Sequence, residues 1–324
     1  MKISDIRCEN WMEQFISQIE DKSIHDLVLP ATHNSSAYML KVDSIPEESI
    51  WVKVSNLAAK YFVCVEGLIK DWVITQNGSV YEQLKQGIRF LDLRVMWNAE
   101  TESFACSHTF LTASLDEVLS DVRRFIDEHP SEVVVTKFKS DFAHRKEIEG
   151  HEKDLLERIS QAWGDCMLQA PHSNTEESSK IKDMLTTNHR IQCFYKAEDN
   201  KVQHPSIWDG DNLEEFWIDG SNIDDRLKEI EDGIKSIKEG DGKTYLAPFT
   251  LTATKRDIIF GVLKQLSSSK SQNNLQSLVT KMHEILPEYF KQHAEDLKKV
   301  QGISLDFPLK RDIQHIISLN LEDF

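Results

Sequence analysis

The sequence contains Phe90-Leu91-Asp92-Leu93-Arg94-Val95, a β-type run with two opposite charges near its centre. Successive side chains of a strand point to opposite faces, so Asp92 and Arg94 share one face. Six further β-type runs end in polar or charged residues: 27–29, 104–108, 133–139, 191–195, 245–250 and 303–307. The chain is therefore rich in short strands whose ends carry ionisable groups.

Helical patterns separate most of these runs. The clearest begins at Ser114, which forms a capping box with Glu117, and it stops at His129-Pro130. Strands alternate with helices, with no Gly/Ser/Pro-rich linker and no change of composition, which predicts one α/β domain over residues 1–324 in the form of a β/α barrel. We also expect a leading helix over 1–24 and a helix at the barrel rim over 50–74.

The composition is that of a globular protein with ample apolar material for one core. The 324 residues are 40% hydrophobic and 28% charged, and their formal net charge is −16. This acidic balance disfavours nucleic-acid binding, which needs a basic surface against the phosphates. A local cationic pocket is still compatible with it.

Five cysteines lie far apart with no CxxC spacing: Cys8, Cys64, Cys106, Cys166 and Cys193. Free thiols are typical of a reducing compartment. The first residues lack the apolar run of a signal peptide, and the longest apolar region, 50–74, is interrupted by charged residues. We therefore expect a cytoplasmic protein, with secretion without a leader as the alternative.

In a β/α barrel the catalytic groups lie at the C-terminal ends of the strands. This sequence places its ionisable residues there: His33, Asp92, Arg94, His108, Lys137, Lys139, Lys196 and Asp306. Two imidazoles, a guanidinium and a carboxylate in one pocket suit in-line cleavage of a phosphodiester. One histidine takes a proton from the attacking hydroxyl, the other protonates the leaving oxygen, and the arginine neutralises the phosphate. A carboxylate such as Asp306 would fix the tautomer of the base.

Each of these residues also has a purely structural interpretation. Asp92 and Arg94 would serve as a buried salt bridge inside the barrel. Lys137 and Lys139 would extend to the rim, and Asp306 would cap the following helix. The pattern alone leaves both interpretations open.

Motifs in a fixed order make the combination recognisable: Leu29-Pro30-Ala31-Thr32-His33-Asn34-Ser35, then 87–95, then 104–108 followed by a helix and His129-Pro130-Ser131-Glu132. Together they resemble the X domain of phosphatidylinositol-specific phospholipase C. The resemblance is to the compact single-domain form found in bacterial enzymes, in the trypanosome enzyme that cleaves glycosylphosphatidylinositol anchors, and in X-domain-containing proteins of animals. It covers nearly the whole chain, including 245–252 and 302–307.

The resemblance implies a distorted TIM-type barrel and a two-histidine phosphoryl transfer in which the inositol 2-hydroxyl attacks phosphorus. The products would be diacylglycerol and a cyclic inositol phosphate. By position, His33 corresponds to the general base and Asp306 to its orienting partner. His108 corresponds to the general acid and Arg94 to the phosphate clamp. Asp92 is the acidic member of the family's D-x-R strand.

The resemblance also bears on metal ions. Calcium-dependent eukaryotic members place ligands at positions that here carry Asn34, Asp92, Arg94 and Lys139. Two fixed cations in one shell would repel a divalent ion that needs oxygen ligands. We therefore expect a metal-independent protein with no cofactor, in which Arg94 takes the electrostatic role of the ion.

Asn34 is a departure from the family. Many metal-independent members have aspartate immediately after the first histidine, where it supports the general acid. An amide cannot carry that negative charge, so we expect the pKa of His108 to be raised less. The trypanosome enzyme resembles this sequence in having His-Asn at this point.

Substrate contacts follow from the same resemblance. Lys139 and Lys196 correspond to cationic positions that face the inositol ring in bacterial members. Trp217 falls where an aromatic platform for the ring is expected, and a core position is an equal alternative. The segment 51–69 has apolar residues at helical spacing, which would enter the lipid or pack on the barrel. The expected partner is membrane phosphatidylinositol, with no nucleic acid and no stable protein partner.

Two other functions are compatible with the sequence. A metal-dependent glycerophosphodiester-cleaving or sphingomyelinase D-like barrel would need an acidic cluster beside His33 and His108, which the sequence does not supply. The other is a catalytically weak X-domain protein that binds inositol lipids. Asn34 favours this second alternative, because it replaces a charged residue.

Overall fold

The computed structural model describes residues 2–42, 50–60, 64–141, 148–171, 178–198, 202–238, 240–267 and 274–322. Its strands are β1 (Leu29–Thr32), β2 (Phe90–Asn98), β3 (Ser103–His108), β4 (Phe110–Ser114), β5 (Val134–Ser140), β6 (Ile191–Lys196), β7 (Trp208–Asp209), β8 (Leu213–Glu215), β9 (Thr244–Pro248) and β10 (Gly302–Leu305). Eight of them are parallel neighbours in the order β7-β6-β5-β2-β1-β10-β9-β8. They form the nearly closed barrel of a single α/β domain, as the sequence predicts.

All the predicted strand runs overlap observed strands, but β3 and β4 are not barrel strands. β2 extends beyond the barrel and pairs antiparallel with β3, which pairs antiparallel with β4. The prediction that His108 ends a barrel strand is therefore wrong, since it ends β3 in this hairpin. The reason is the short connection at 99–102, because a parallel neighbour requires a crossover of a dozen or more residues.

Helices surround the barrel: Ile50–Lys60, Val65–Val73, Val80–Lys85, Leu115–Glu128, Glu152–Trp163, Ile181–Thr187, Ile223–Ser236, Lys255–Ser267, Leu275–Gln292 and Lys310–Ser318. The helix Leu115–Glu128 begins where predicted, because Ser114 Oγ accepts a hydrogen bond from the Glu117 amide at 3.1 Å. The Glu117 carboxylate accepts from the Tyr38 hydroxyl instead of completing the predicted capping box. Its apolar face is buried, and Pro130 cannot continue it. No helix in the described ranges is long and apolar enough to cross a membrane.

Two predicted helices are divided in the structure. The segment 1–24 contains only short helical pieces, among them Trp11–Gln14 and Ile16–Ile19, because Phe15 between them leaves the helical region (φ −115°, ψ 18°). The segment 50–74 forms two helices rather than one, and both pack into the core. Tyr61 and Phe62, which are among the apolar residues of the predicted rim helix, lie outside the described residues.

A buried ion pair joins the N-terminal segment to the barrel. Arg89 lies just before β2, and Glu132 lies just before β5. Nη2 of Arg89 is 2.6 Å from Oε2 of Glu132, and the two side chains are at most 1% exposed. Arg89 also donates to the carbonyl oxygens of Leu84 and Glu9. Glu132 accepts from the amide of Glu13. Separate segments of the chain therefore meet at one pair of charges.

Glu132→Ala is expected to lower the free energy of unfolding by about 3–5 kcal/mol, because it leaves the Arg89 charge buried without its partner. Urea denaturation followed by circular dichroism measures the difference. The matched control is Asp116→Ala, which removes an exposed pair with Arg158 and is expected to cost at most about 1 kcal/mol. Equal losses in the two variants would contradict a stabilising role for the buried pair.

Candidate active site

A pocket of about 500 Å³ opens at the C-terminal end of the barrel. Its polar lining includes His33, Thr75, Arg94, His108, Trp217 and Asp306. Its apolar lining includes Trp51, Trp72, Leu251, Ile258 and Leu275. Both histidines, the arginine and one carboxylate of the predicted site therefore line the same cavity.

His33 follows β1, and both of its ring nitrogens are engaged. Nδ1 lies 2.9 Å from Asp306 Oδ1. Nε2 lies 3.0 Å from Asn34 Nδ2 and 3.3 Å from Arg94 Nη2. A carboxylate accepts, whereas an amide nitrogen and a guanidinium donate, so Nδ1 carries the proton and Nε2 the lone pair. This is the tautomer that a general base requires.

Several site residues are each followed by a non-glycine residue with left-handed backbone: His33-Asn34, His108-Thr109 and Asp306-Phe307. The second residues of these pairs have φ angles of 44°, 65° and 48°. This conformation is unfavourable for residues with a Cβ atom, most of all for bulky or β-branched side chains. The surrounding contacts therefore hold strained turns at the positions that present the site side chains.

His108 faces His33 across the pocket, with the two ring centroids 6.1 Å apart. Its Nδ1 lies 2.8 Å from the carbonyl oxygen of Val73, so Nδ1 carries a proton. Burial and the positive charge of Arg94 lower the pKa of His108 to about 3, and protonation of His33 acts in the same direction. The ring is therefore neutral at neutral pH in the free protein.

A carboxylate that the sequence analysis missed acts on His108. The charge of Asp141 raises the pKa of His108, against the larger effects that lower it. Asp141 Oδ2 accepts hydrogen bonds from Ser107 Oγ and from the Thr109 amide, both at 2.8 Å. Asn34 contacts His33 instead. Asp141 directly follows β5, and the rule that barrel sites lie at strand ends is the signal that could have found it.

Asp92 belongs to a buried cluster of four charges. Its Oδ1 lies 3.4 Å from Lys137 Nζ and 3.7 Å from Lys139 Nζ. Glu215 in β8 completes the cluster, with Oε2 at 2.5 Å from Lys137 and 3.1 Å from Lys139. Burial would raise the pKa of Asp92, but the charges of Lys139 and Lys137 outweigh it and hold that pKa well below its usual range. Asp92 therefore stays ionised.

The register of the barrel explains this cluster. β2 and β5 pair so that Asp92 lies beside Lys137 and Arg94 beside Lys139. The lysines do not extend freely to the rim, because carboxylates surround them. The sequence pattern does not predict the role of Glu215, since β8 is too short to show an alternation. The available signal was the charge balance, because two buried lysines need two carboxylates and Asp92 supplies only one.

Arg94 retains hydrogen-bonding capacity. Its Nε is buried and makes no hydrogen bond to any part of the chain that the structure describes. Within the described ranges, its Nη2 makes one hydrogen bond, the 3.3 Å contact with His33 Nε2. An anion in the pocket would satisfy these donors, because a guanidinium fork matches the oxygens of a phosphate.

The predicted substrate contacts occupy different positions. Trp217 lines the pocket, with its ring centroid 5.1 Å from that of His33. Lys196 is exposed, pairs with Asp211 at 3.1 Å, and does not line the pocket. Asp211 lies in the turn after β7 and attracts this lysine to the surface. The structure therefore brings Trp217 to the site and leaves Lys196 outside it.

The segment 50–74 contributes a wall of the pocket. Trp51 and Trp72 come from its two helices and are 5% and 7% exposed. Of the two alternatives for this segment, the described residues pack on the barrel.

The residues compared with calcium ligands form a poor cation site. Asp92 is already paired with two lysines, and Arg94 and Lys139 add positive charge. A hard divalent cation needs several oxygen ligands, so this set of donors suits an anion better. Within the described ranges, no three His, Cys, Asp or Glu side chains are grouped as metal ligands would be.

Comparison with known proteins gives the family. Residues 70–196 match the sequence profile described as "Phosphatidylinositol-specific phospholipase C, X domain". PI-PLC X domain-containing protein 2 of Mus musculus is 24% identical over 279 residues, which cover 85% of this chain and 79% of the relative. PI-PLC X domain-containing protein 1 of Danio rerio is 35% identical over 131 residues, or 39% of this chain and 42% of the relative.

Solved structures share the fold. The phosphatidylinositol-specific phospholipase C of Listeria monocytogenes has a TM-score of 0.65 at 17% identity, covering 98% of this chain and 100% of its own. A variant of the Staphylococcus aureus enzyme has a TM-score of 0.66 at 15% identity, covering 100% of both chains. The barrel thus has the same fold as these bacterial enzymes. Residues 70–196 therefore form an X domain of the phosphatidylinositol-specific phospholipase C family, and the chain is similar over most of its length to proteins named for this domain.

Proposed function

We propose that this protein is a calcium-independent phosphodiesterase that cleaves phosphatidylinositol. The observation that carries the proposal is the placement of His33 and His108 across one pocket. Their ring centroids are 6.1 Å apart, and Arg94 lies beside them. A proton acceptor, a second imidazole and a phosphate clamp thus surround a single cavity. The family and the bacterial structures that share its fold are named for phosphatidylinositol, which supports this substrate.

In the proposed reaction the inositol 2-hydroxyl oxygen attacks phosphorus. The hydroxyl proton passes to Nε2 of His33, and Asp306 stabilises the resulting imidazolium through Nδ1. The bond between phosphorus and the glycerol oxygen breaks, and that oxygen takes a proton from Nε2 of His108. The products are diacylglycerol and a cyclic inositol phosphate. Exchange of protons with water then returns both histidines to their starting states.

Substrate binding supplies the condition under which His108 becomes an acid. In the free protein, burial and the charge of Arg94 lower the pKa of His108. A phosphodiester bound beside Arg94 offsets this positive charge, so the pKa of His108 rises. Arg94 therefore acts twice in the proposal: it binds the phosphate, and once neutralised it permits His108 to hold a proton.

The proposed independence from calcium rests on the four-charge cluster. Asp92 and Glu215 are balanced by Lys137 and Lys139, so a divalent cation would have to displace a lysine to reach either carboxylate. Arg94 supplies positive charge at the phosphate in place of the ion.

The rim of the pocket would meet a lipid surface. Phe260 and Leu263, on the helix Lys255–Ser267, are 54% and 37% exposed, and Ile258 of the same helix lines the pocket. Exposed apolar residues beside basic ones are typical of helices that bind the membrane interface. We propose transient, peripheral binding to the cytoplasmic face of membranes, where the free thiols would stay reduced.

Phosphorus NMR of phosphatidylinositol cleavage in mixed micelles tests the proposal. The expected product is a cyclic inositol phosphate, formed at the same rate in chelator and in added calcium. A requirement for calcium would contradict the proposed role of Arg94. The absence of product in both conditions would contradict the enzymatic proposal.

An inositol-lipid-binding protein without turnover is the second candidate. The contact between Asn34 Nδ2 and His33 Nε2 at 3.0 Å favours it, because the amide occupies the lone pair on which base catalysis depends. Equal binding of phosphatidylinositol vesicles by wild type and His33→Ala, with no turnover by either, would support this candidate.

A further inference from the structure

A second histidine lies directly behind the site. His283, on the helix Leu275–Gln292, is 5% exposed and does not line the pocket. Its Nε2 lies 2.9 Å from the carbonyl oxygen of Asp306, and its Nδ1 lies 2.7 Å from Asp312 Oδ2. His283 therefore contacts the backbone of the residue whose side chain orients His33.

The contacts of His283 place a proton on Nε2. A carbonyl oxygen has only lone pairs, so Nε2 must donate to Asp306. Asp312 is fully buried and holds the other side of the ring, while Arg311 approaches Asp312 Oδ1 at 3.3 Å and donates to the His283 carbonyl at 2.7 Å. The ring is thus held from both sides in one orientation, with Nε2–H directed at Asp306.

The peptide bond after Asp306 is clamped at both of its polar atoms. Its carbonyl oxygen accepts from His283, and its amide, which belongs to Phe307, donates to the Thr75 carbonyl oxygen at 2.9 Å. Phe307 has φ of 48°, an unfavourable angle for an aromatic residue. Such a conformation persists only where neighbouring contacts over-determine it. Among the described residues, His283 supplies one of the two hydrogen bonds that hold this peptide.

We propose that His283 is a positioning residue: it holds the Asp306–Phe307 peptide and so aims the Asp306 carboxylate at Nδ1 of His33. This role rests on the proposed function, because Asp306 acts on the reaction only through His33. The side chain of Asp306 and the peptide that follows it share one Cα atom. Rotation of that peptide would therefore move the carboxylate out of line with the imidazole.

Two substitutions separate the ring nitrogens of His283. The amide nitrogen of glutamine reaches the position of Nε2, whereas that of asparagine reaches the position of Nδ1. We expect His283→Asn to lower kcat by about 10- to 100-fold with KM unchanged, because the Asp306 carbonyl loses its donor. His283→Gln still donates to that carbonyl and is expected to rescue most of the kcat. Equal kcat values in the two variants would overturn the proposal.

A second readout does not depend on turnover. The His33 Nδ1 proton, which Asp306 accepts, is observable by NMR, and its exchange with water reports how firmly the carboxylate is held. Exchange is expected to be faster in His283→Asn than in the wild type and unchanged in His283→Gln. Equal exchange in all three proteins would overturn the proposal, whether or not the wild type cleaves phosphatidylinositol.

The wild-type protein provides a measurement that needs no variant to fold. Nitrogen NMR of the His283 ring is expected to show a proton on Nε2 at neutral pH. A lone pair on Nε2 would overturn the proposal. A protonated Nε2 together with firm His33–Asp306 bonding, but no cleavage of the lipid, would contradict the proposed function and leave the positioning role intact.

Discussion

His33→Ala is expected to lower kcat for phosphatidylinositol by about 10²- to 10⁴-fold, because the attacking hydroxyl loses its proton acceptor. Cleavage in mixed micelles, followed by phosphorus NMR, measures the loss. Added imidazole should restore part of the rate, since the truncation opens space within the pocket for a free base. Asp306 loses its partner as well, so thermal unfolding must show that the variant is folded.

His315→Ala is the matched control for this substitution. His315 lies on the helix Lys310–Ser318, and its Nδ1 contacts the carbonyl oxygen of Arg311, one turn earlier. It does not line the pocket, so its removal should leave kcat at the wild-type value. A folded His33→Ala protein with wild-type kcat would exclude His33 as the general base.

His108→Ala is expected to lower kcat for the lipid by a similar factor, about 10²- to 10⁴-fold, because the glycerol oxygen leaves without a proton. The leaving group makes this prediction specific. A nitrophenyl ester of inositol phosphate releases a stable phenolate that needs little help from an acid. His108→Ala should therefore cleave this ester almost as fast as the wild type does.

His33→Ala provides the contrast, because the attack on phosphorus is the same for both substrates. It should lose activity towards the lipid and towards the nitrophenyl ester alike. Equal losses on both substrates in His108→Ala would contradict the role of His108 as the acid. The low pKa of His108 in the free protein would then mean that its ring stays neutral and only shapes the pocket.

The strand pattern of the sequence predicts most of the fold, because the interiors of these strands are short apolar runs. Those runs predict β1, β2, β5, β6, β9 and β10 closely enough to place the ionisable residues at one end of the barrel. The sequence does not show that β3 and β4 form a hairpin outside the barrel, because β3 has the same composition as a barrel strand. β7 and β8 have two and three residues, too few for an alternation to appear.

The candidate site was predictable where a residue follows a recognisable strand. His33, Arg94 and Asp306 meet that condition, and they line the pocket. Glu215 and His283 do not, because their positions depend on β8 and on a distant helix that only tertiary packing brings to the site. Lys196 ends a recognisable strand but lies outside the pocket, where it pairs with an acidic partner at the surface.

The strained turns of the pocket have a consequence for protein engineering. Glycine would adopt the backbone of Thr109 at less cost, so a search for thermal stability alone would favour it at that position. Such a change would also loosen the turn that aims His108. A thermostable version of this protein should therefore be sought on the outer helices, with the residues that follow the site side chains left unchanged.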